Sequence, residues 1–84
     1  MQKFVLTAHA KFVITERCIE IKWLEQVLSK PEKIEADLDD PDLRHALGRI
    51  PGHGDRVLRV VYNDAVEPVR VVTVYFDRTL RNKL

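Results

Sequence analysis

The chain has 84 residues, enough for a single domain over residues 1–84 and too few for a second hydrophobic core. Hydrophobic residues make up 45% and charged residues 32% of it, as in soluble globular proteins, and no apolar run approaches the roughly 20 residues of a membrane helix. The net charge of +1 combines +2 at residues 1–30, −5 at residues 31–43 and +4 at residues 44–84. The single cysteine excludes an internal disulfide and indicates a cytoplasmic protein.

Two helices are predicted in the first half of the chain. Residues 4–6 predict a short strand, and Thr7 is a good N-cap for a helix over residues 8–17, because its hydroxyl accepts a backbone N–H. A second helix is predicted over residues 21–29, and Pro31 prevents it from continuing far. Its buried stripe, at helical spacing, consists of Ile21, Leu24, Val27 and Leu28.

From residue 33 onward the apolar period changes to two, which is typical of strands. Strands are predicted over residues 33–38, 44–50, 56–62 and 69–76, with a turn at 39–42, a tight connection at 51–55 and a loop at 63–68. Residues 77–84 form a polar, basic tail. The predicted fold is α+β, with two N-terminal helices packed on one face of an antiparallel sheet of about four strands.

The alternation assigns each strand residue to one face of this sheet. The helix-covered set is predicted to be Leu58, Val60 and Tyr62 with Val72, Val74 and Phe76. The opposite face then carries Arg59 beside Thr73 and Tyr75, and pairing Ile50 with Arg56 adds His45 and Arg49. A slip of one residue in the last hairpin would move Thr73 and Tyr75 to the core face. We predict the first register.

His9 is the strongest single candidate for chemistry. At the second position after the cap it faces the positive end of a helix dipole, which disfavours the imidazolium form. A neutral imidazole is what a general base needs. The alternative is a histidine whose ring packs against the sheet and bonds a backbone carbonyl.

Arginines and strand hydroxyls supply the other candidates. Arg17 lies two turns after His9. It would neutralise a phosphate there, or it is simply a cation in the last turn of the helix, where the helix dipole favours it. Arg59 lies between apolar neighbours, where it would clamp a phosphate or cover the sheet with its stem. Tyr75 would assist catalysis or stack on a base, or it is an ordinary tyrosine of an amphipathic strand. Thr73 is better explained as a residue that favours strands than as a catalytic hydroxyl.

The remaining reactive side chains are weaker candidates. His45 and His53 are weak candidates, and His53 lies in a glycine turn, where a solvated side chain is expected. Cys18 follows a helix end and is expected to be buried and inert. Because the histidines and the cysteine show no metal-ligand spacing, neither a metal site nor a cofactor is predicted.

The order of its motifs gives the chain a resemblance to a small bacterial domain family of unknown function. That family has Thr-x-His-Ala, Glu-Arg-x-Ile, Asn/Ser-x-Pro, Arg-Val-Leu-Arg-Val-Val and Val-Val-Thr-x-Tyr/Phe in this order. Here these motifs stand at residues 7–10, 16–19, 29–31, 56–61 and 71–75. The family is similar in predicted fold to the barnase–EndoU–colicin–RelE group of metal-independent ribonucleases, several of which are toxins.

The resemblance implies a RelE-like fold and an RNA-binding protein or a metal-independent endoribonuclease. In the implied mechanism His9 deprotonates or orients the ribose 2′-hydroxyl, and Arg17 and Arg59 hold the phosphate. Tyr75 assists the leaving oxygen or stacks on a base, and the products carry 2′,3′-cyclic phosphate ends. RNA would also contact Arg49, Thr73 and Arg78.

As the toxin of a toxin–antitoxin pair, such a protein would act on RNA or the ribosome and would be masked by a small antitoxin-like protein. Two departures from the pattern weaken the case for catalysis. Val13 stands where related sequences often carry an arginine. Cys18 stands where they usually carry glycine, so it is expected to adopt the left-handed conformation that ends a helix. The alternatives are a protein-binding module that kept the fold without the activity, and a homo-oligomer that uses an exposed strand edge.

Overall fold

The computed structural model describes residues 4–80, in which five strands, two α-helices and two single 3-10 turns follow one another. The strands are β1 (Phe4–Leu6), β2 (Lys33–Ala36), β3 (Leu43–Ile50), β4 (Arg56–Asn63) and β5 (Val69–Phe76). The helices are α1 (Ala8–Glu16) and α2 (Ile21–Ser29), and the 3-10 turns cover Pro51–His53 and Arg78–Leu80. The predicted helices and strands are all present with similar bounds. Residues 81–84 of the predicted basic tail lie outside the described residues.

The five strands form one mixed sheet in the order β1-β5-β4-β3-β2. The three hairpin contacts, β2–β3, β3–β4 and β4–β5, are antiparallel as predicted. β1 pairs in parallel with β5, so that Phe4 lies beside Val69 and Leu6 beside Val71. This fifth strand corrects the prediction of a wholly antiparallel sheet of about four strands. Three residues are too short a pattern to indicate a partner at the far end of the chain.

Both helices cover the same face of the sheet. α1 packs against β5 and β1, and α2 packs against β3 and β4. Leu24, Val27 and Leu28 of α2 are buried as predicted, but Ile21 is 43% exposed, which corrects its assignment to the core. The strand side of the core is supplied by Ala46, Ile50, Leu58, Val60, Tyr62, Val69, Val71 and Val74. Neither helix within residues 4–80 is long and apolar enough to cross a membrane.

The strand register on the second face of the sheet is confirmed. Ile50 pairs with Arg56 and Leu47 with Arg59 between β3 and β4. Between β4 and β5, Arg59 lies opposite Tyr75. The face without helices, called here the open face, therefore carries His45, Arg49, Arg59, Thr73 and Tyr75.

A β-bulge at Val72 changes part of the predicted helix-covered face. Val61 pairs with Thr73 and Tyr62 pairs with Val71, so Val72 is the extra residue. Val71 is fully buried and Val72 only partly buried, which corrects the placement of Val72 among the core residues. Thr7 uses the bulge, because its hydroxyl donates to the Val72 carbonyl at 3.1 Å while it accepts the cap bond from the Ala10 N–H at 3.1 Å.

The end of α1 depends on Cys18 in the left-handed conformation, with φ of 54°. The Cys18 N–H donates to the Thr15 carbonyl at 3.4 Å and the Ile19 N–H to the Ile14 carbonyl at 3.0 Å. These two bonds form a Schellman motif, a position where glycine is usual. The left-handed conformation was predicted, whereas the expectation of a buried thiol was wrong, because Cys18 is exposed.

Candidate functional site

A cleft lined by arginines opens at the end of the sheet where β4 begins and β5 ends. One cavity there, of about 450 Å³, is lined by Arg17, His53, Arg56, Phe76 and Arg78, and these five residues are called here the basic cleft. An adjoining cavity of about 310 Å³ shares three of these residues and is also lined by Val57 and Asp77. No ion pair within residues 4–80 involves any of the three cleft arginines.

Five elements bring these side chains together. Arg17 is the C-cap of α1, and Arg56 is the first residue of β4. Phe76 ends β5 opposite Leu58. His53 and Arg78 lie in the two 3-10 turns. The cleft is therefore a product of the tertiary fold, since residue 17, residues 53–56 and residues 76–78 are far apart in the sequence.

Aromatic rings form the floor of the cleft. The ring centroids of Trp23 and His53 are 5.0 Å apart, those of His53 and Phe76 are 5.0 Å apart, and Trp23 meets Phe76 edge-on at 5.8 Å. The Arg56 guanidinium carbon lies 5.1 Å from the centroid of the Phe76 ring, which is cation–π distance. This packing restricts the rotamers of Arg56 and His53.

The contact between Arg56 and His53 fixes the histidine tautomer. Arg56 Nη1 lies 3.3 Å from His53 Nε2, and a guanidinium can only donate, so Nε2 accepts. The proton of the neutral ring is then on Nδ1. Because His53 is half-buried against the aromatic rings, the expectation of a solvated side chain at this turn was wrong.

A second group of polar residues lies on the open face and is centred on Arg59. Arg59 donates to Asp77 Oδ2 from Nε at 2.9 Å and to Glu35 Oε1 from Nη1 at 3.1 Å, and its Nη2 forms an ion pair with Asp77 Oδ2 at 2.8 Å. Its Nη1 is also 2.7 Å from His45 Nδ1, and His45 Nε2 is 2.7 Å from Asp37 Oδ1. We call these five residues the open-face network. The Arg59 side chain is only 12% exposed.

The open-face network is acidic and fully bonded. Since Arg59 can only donate, His45 accepts at Nδ1 and donates from Nε2 to Asp37. The network contains one guanidinium and three carboxylates, two on Arg59 and one on His45, so its net charge is about −2 when the histidine is neutral. A phosphate would be repelled by it.

Hydrogen bonds lower the pKa values of the network carboxyls. Bonds from Thr79, and then from Arg59, lower the pKa of Asp77. The bond from Arg59, followed by that from Lys33, lowers the pKa of Glu35. These carboxylates are therefore charged over a wider pH range than in an unfolded chain.

Residues 6–76 match the family described as a domain of unknown function, DUF4258. The chain belongs to the DUF4258 family. No curated protein and no solved structure matches it. The family match runs from the last residue of β1 to the last residue of β5, so it includes every residue of the basic cleft except Arg78.

In the DUF4258 domain, the four residues that were predicted to act together in catalysis lie in different places. Arg17 and Arg78 meet in the basic cleft. Arg59 and Tyr75 are cross-strand neighbours on the open face, beyond the sheet from α1. His9 is exposed in the first turn of α1, about 12 Å along the helix axis from Arg17 at 1.5 Å per residue. The four predicted catalytic residues therefore do not converge on one point.

The other two residues expected to contact RNA also lie on the open face. Arg49 is paired with Glu32, whose Oε1 accepts from Arg49 Nε at 3.0 Å and forms an ion pair with Nη2 at 2.8 Å. That pairing lowers the pKa of Glu32. Thr73 lies opposite Val61 on β5. Neither residue lines the basic cleft.

Sequence reasoning missed His53, Arg56 and Phe76 as cleft residues and Asp77 as their neighbour. A usable signal was present, because Arg56 follows the glycine turn that contains His53 and Arg78 follows Phe76 after one residue. Their convergence depends on the pairing of β4 with β5. Residues 4–80 contain no group of three or more His, Cys, Asp or Glu side chains suited to a metal ion.

Proposed function

We propose that this DUF4258 domain binds RNA and that the basic cleft holds the phosphate backbone. The observation that carries the proposal is the convergence of Arg17, Arg56 and Arg78 on one cavity, with no ion pair to any of them within residues 4–80. A guanidinium presents a planar fork that matches phosphate oxygens and gives strong, charge-assisted hydrogen bonds. Three such groups around one cavity suit a polyanion.

The aromatic floor supports the same reading. The Arg56 guanidinium lies over the Phe76 ring at 5.1 Å, so less side-chain freedom is lost when it binds a ligand. Arginine and histidine planes also stack on unpaired bases, which favours single-stranded RNA over a duplex. The open-face network offers no comparable site because its carboxylates already surround Arg59.

The RelE-like resemblance supports RNA over other polyanions, as an analogy of fold and motif order. By the same analogy the target is messenger RNA or the ribosome, and a small antitoxin-like protein covers the cleft. A protein partner that masks three arginines would present carboxylates to them.

The second candidate function is metal-independent cleavage of the bound RNA. His53 favours it, because the cleft places an imidazole beside a phosphate-binding arginine. When a phosphate draws Arg56 away, His53 Nε2 becomes available to accept the ribose 2′-hydroxyl proton. The 2′-oxygen then bonds to phosphorus, and the 5′-oxygen leaves with a proton supplied by solvent or a second acid. The products are a 2′,3′-cyclic phosphate and a 5′-hydroxyl end.

RNA binding is tested by fluorescence anisotropy of a labelled single-stranded RNA over a range of salt concentrations. We expect the affinity to fall with salt and the slope to lose about 0.7 log units per decade when Arg56→Gln removes one phosphate contact. Arg70→Gln is the charge-matched control. Arg70 is exposed on β5, about 20 Å along the strand from Phe76 at 3.3 Å per residue. Equal slopes for the two variants would contradict the proposal, and a salt-independent complex with a protein would favour the binding module.

Cleavage is tested in the presence of EDTA, with total RNA and ribosome-bound message as substrates. Loss of cyclic-phosphate products in His53→Ala, with retention in His9→Ala, would place the base in the cleft. If the products are lost only in His9→Ala, the general base is His9 in the first turn of α1. The absence of products from wild type would reject the enzyme while leaving RNA binding to the first experiment.

A further inference from the structure

The carboxylate at the edge of the basic cleft needs an explanation. Asp77 lines the cavity of about 310 Å³ together with Arg56 and Arg78. A carboxylate in that position is expected to pair with a neighbouring arginine and to repel a phosphate. No ion pair within residues 4–80 joins Asp77 to Arg56 or Arg78.

Both oxygens of Asp77 are occupied from outside the cleft. Oδ2 accepts from Arg59 Nε at 2.9 Å and lies 2.8 Å from Arg59 Nη2. Oδ1 accepts from the Thr79 N–H at 3.0 Å and from the Thr79 hydroxyl. The Asp77 backbone is fixed too, since its N–H donates to the Val57 carbonyl at 2.8 Å.

Arg59 is itself held on the open face. Glu35 Oε1 accepts from it at 3.1 Å, and His45 Nδ1 accepts from it at 2.7 Å. Arg59 therefore approaches Asp77 from the side opposite the helices and has no free donor fork to offer a phosphate. This arrangement accounts for an arginine that is only 12% exposed beside the basic cleft.

We propose that Arg59 is a positioning residue that keeps the basic cleft open to phosphate by neutralising Asp77. Without Arg59, the Oδ2 atom of Asp77 loses its hydrogen bond and its ion pair, and Arg56 and Arg78, which line the same cavity, carry cations that can replace them. A new pair with either arginine would remove one positive charge from the cleft and place a carboxylate where a phosphate binds. The ligand class rests on the function proposed above, whereas the pairing of Asp77 does not.

The experiment compares Arg59→Gln with the double variant Arg59→Gln/Asp77→Asn. We expect Arg59→Gln to weaken binding of single-stranded RNA by about tenfold, the effect of losing one charge-assisted contact. Because the double variant has no carboxylate to release, we expect its affinity to return to near the wild-type value. Arg59→Lys keeps a cation beside Asp77 and is expected to bind RNA nearly as well as wild type. A direct contact between Arg59 and phosphate predicts the opposite, namely that removing Asp77 does not restore binding.

A second measurement is independent of RNA. The side-chain Nε–H resonances of Arg56 and Arg78, recorded by NMR, are expected to shift in Arg59→Gln and to return in the double variant. Unchanged resonances in a folded Arg59→Gln protein would overturn the proposal. If wild type binds no RNA but the resonances behave as expected, the proposed function fails and the role of Arg59 stands. If Arg59→Gln does not fold, Asp77→Asn alone decides: its RNA affinity should equal or exceed that of wild type, and weaker binding would overturn the proposal.

Discussion

Replacing Cys18 with glycine is expected to stabilise the domain. Cys18 has φ of 54°, and the left-handed region costs a residue with a Cβ about 1–2 kcal/mol. Glycine loses more conformational entropy on folding, which offsets about 0.4–1 kcal/mol of that gain. The thiol is exposed, so no buried contact is lost, and the two Schellman bonds involve main-chain atoms that glycine retains. The net gain is about 0.5–1 kcal/mol.

The melting temperature reports this gain. An 84-residue domain unfolds with an entropy of about 0.18 kcal/mol/K, at about 2.1 cal/mol/K per residue. Cys18→Gly should therefore raise the melting temperature by about 3–6 °C in a calorimetric or circular dichroism scan under reducing conditions. Cys18→Ala keeps a Cβ in the left-handed conformation and serves as the control for loss of the thiol. If the alanine variant melts as high as the glycine variant, backbone strain is not the cause and the reasoning fails.

Three further perturbations test the fold. Thr7→Ala should lower the free energy of unfolding by about 1 kcal/mol or more in urea titrations, because the N-cap bond and the bond to the bulge are both lost, whereas Thr7→Ser keeps both. A Cβ at Gly48 would lie 3.2 Å from Val27 Cγ2, so Gly48→Ala should cost about 1 kcal/mol, and the same effect in a Val27→Ala background would refute the clash. In the folded state the pKa of Asp77 lies below its ordinary value of 3.8. The charged carboxylate therefore stabilises the fold above pH 3.8, and this contribution disappears as the pH falls through the pKa of the folded state. Asp77→Asn should flatten the acid limb of stability against pH, and an unchanged slope would contradict the assignment.

Basic and acidic groups are concentrated in different places, the basic groups in the cleft and the acidic groups on the open face. The cleft faces the end of the sheet and carries three arginines. The open face has several carboxylates, and a cavity of about 520 Å³ there is lined by residues that include Glu35, Asp37 and Asp39. Arg59 is bonded to residues of the open face and acts on the basic cleft through Asp77. The charge pattern of the sequence therefore does not identify which arginines contact a ligand.

The sequence by itself determined the features that depend on local chemistry. The cap at Thr7, the left-handed residue at Cys18, the bounds of the helices and the register of β3 with β4 all follow from residues close together in the chain. A period-two pattern joined by a short turn leaves few registers in which the apolar side chains share one face. These features were predicted for that reason.

The tertiary structure decided the pairing of β1 with β5, the bulge at Val72 and the composition of the basic cleft. The β1–β5 pairing and the cleft join segments that are far apart in sequence, and the extra residue at Val72 interrupts the period-two pattern within a hairpin, so no local pattern specifies these features. Arg59 shows the consequence most directly. Alternation placed it on the open face, but only the positions of Glu35, His45 and Asp77 in space show that its donors are already used. Whether a side chain is free to bind a ligand depends on its neighbours, and the tertiary fold determines those neighbours.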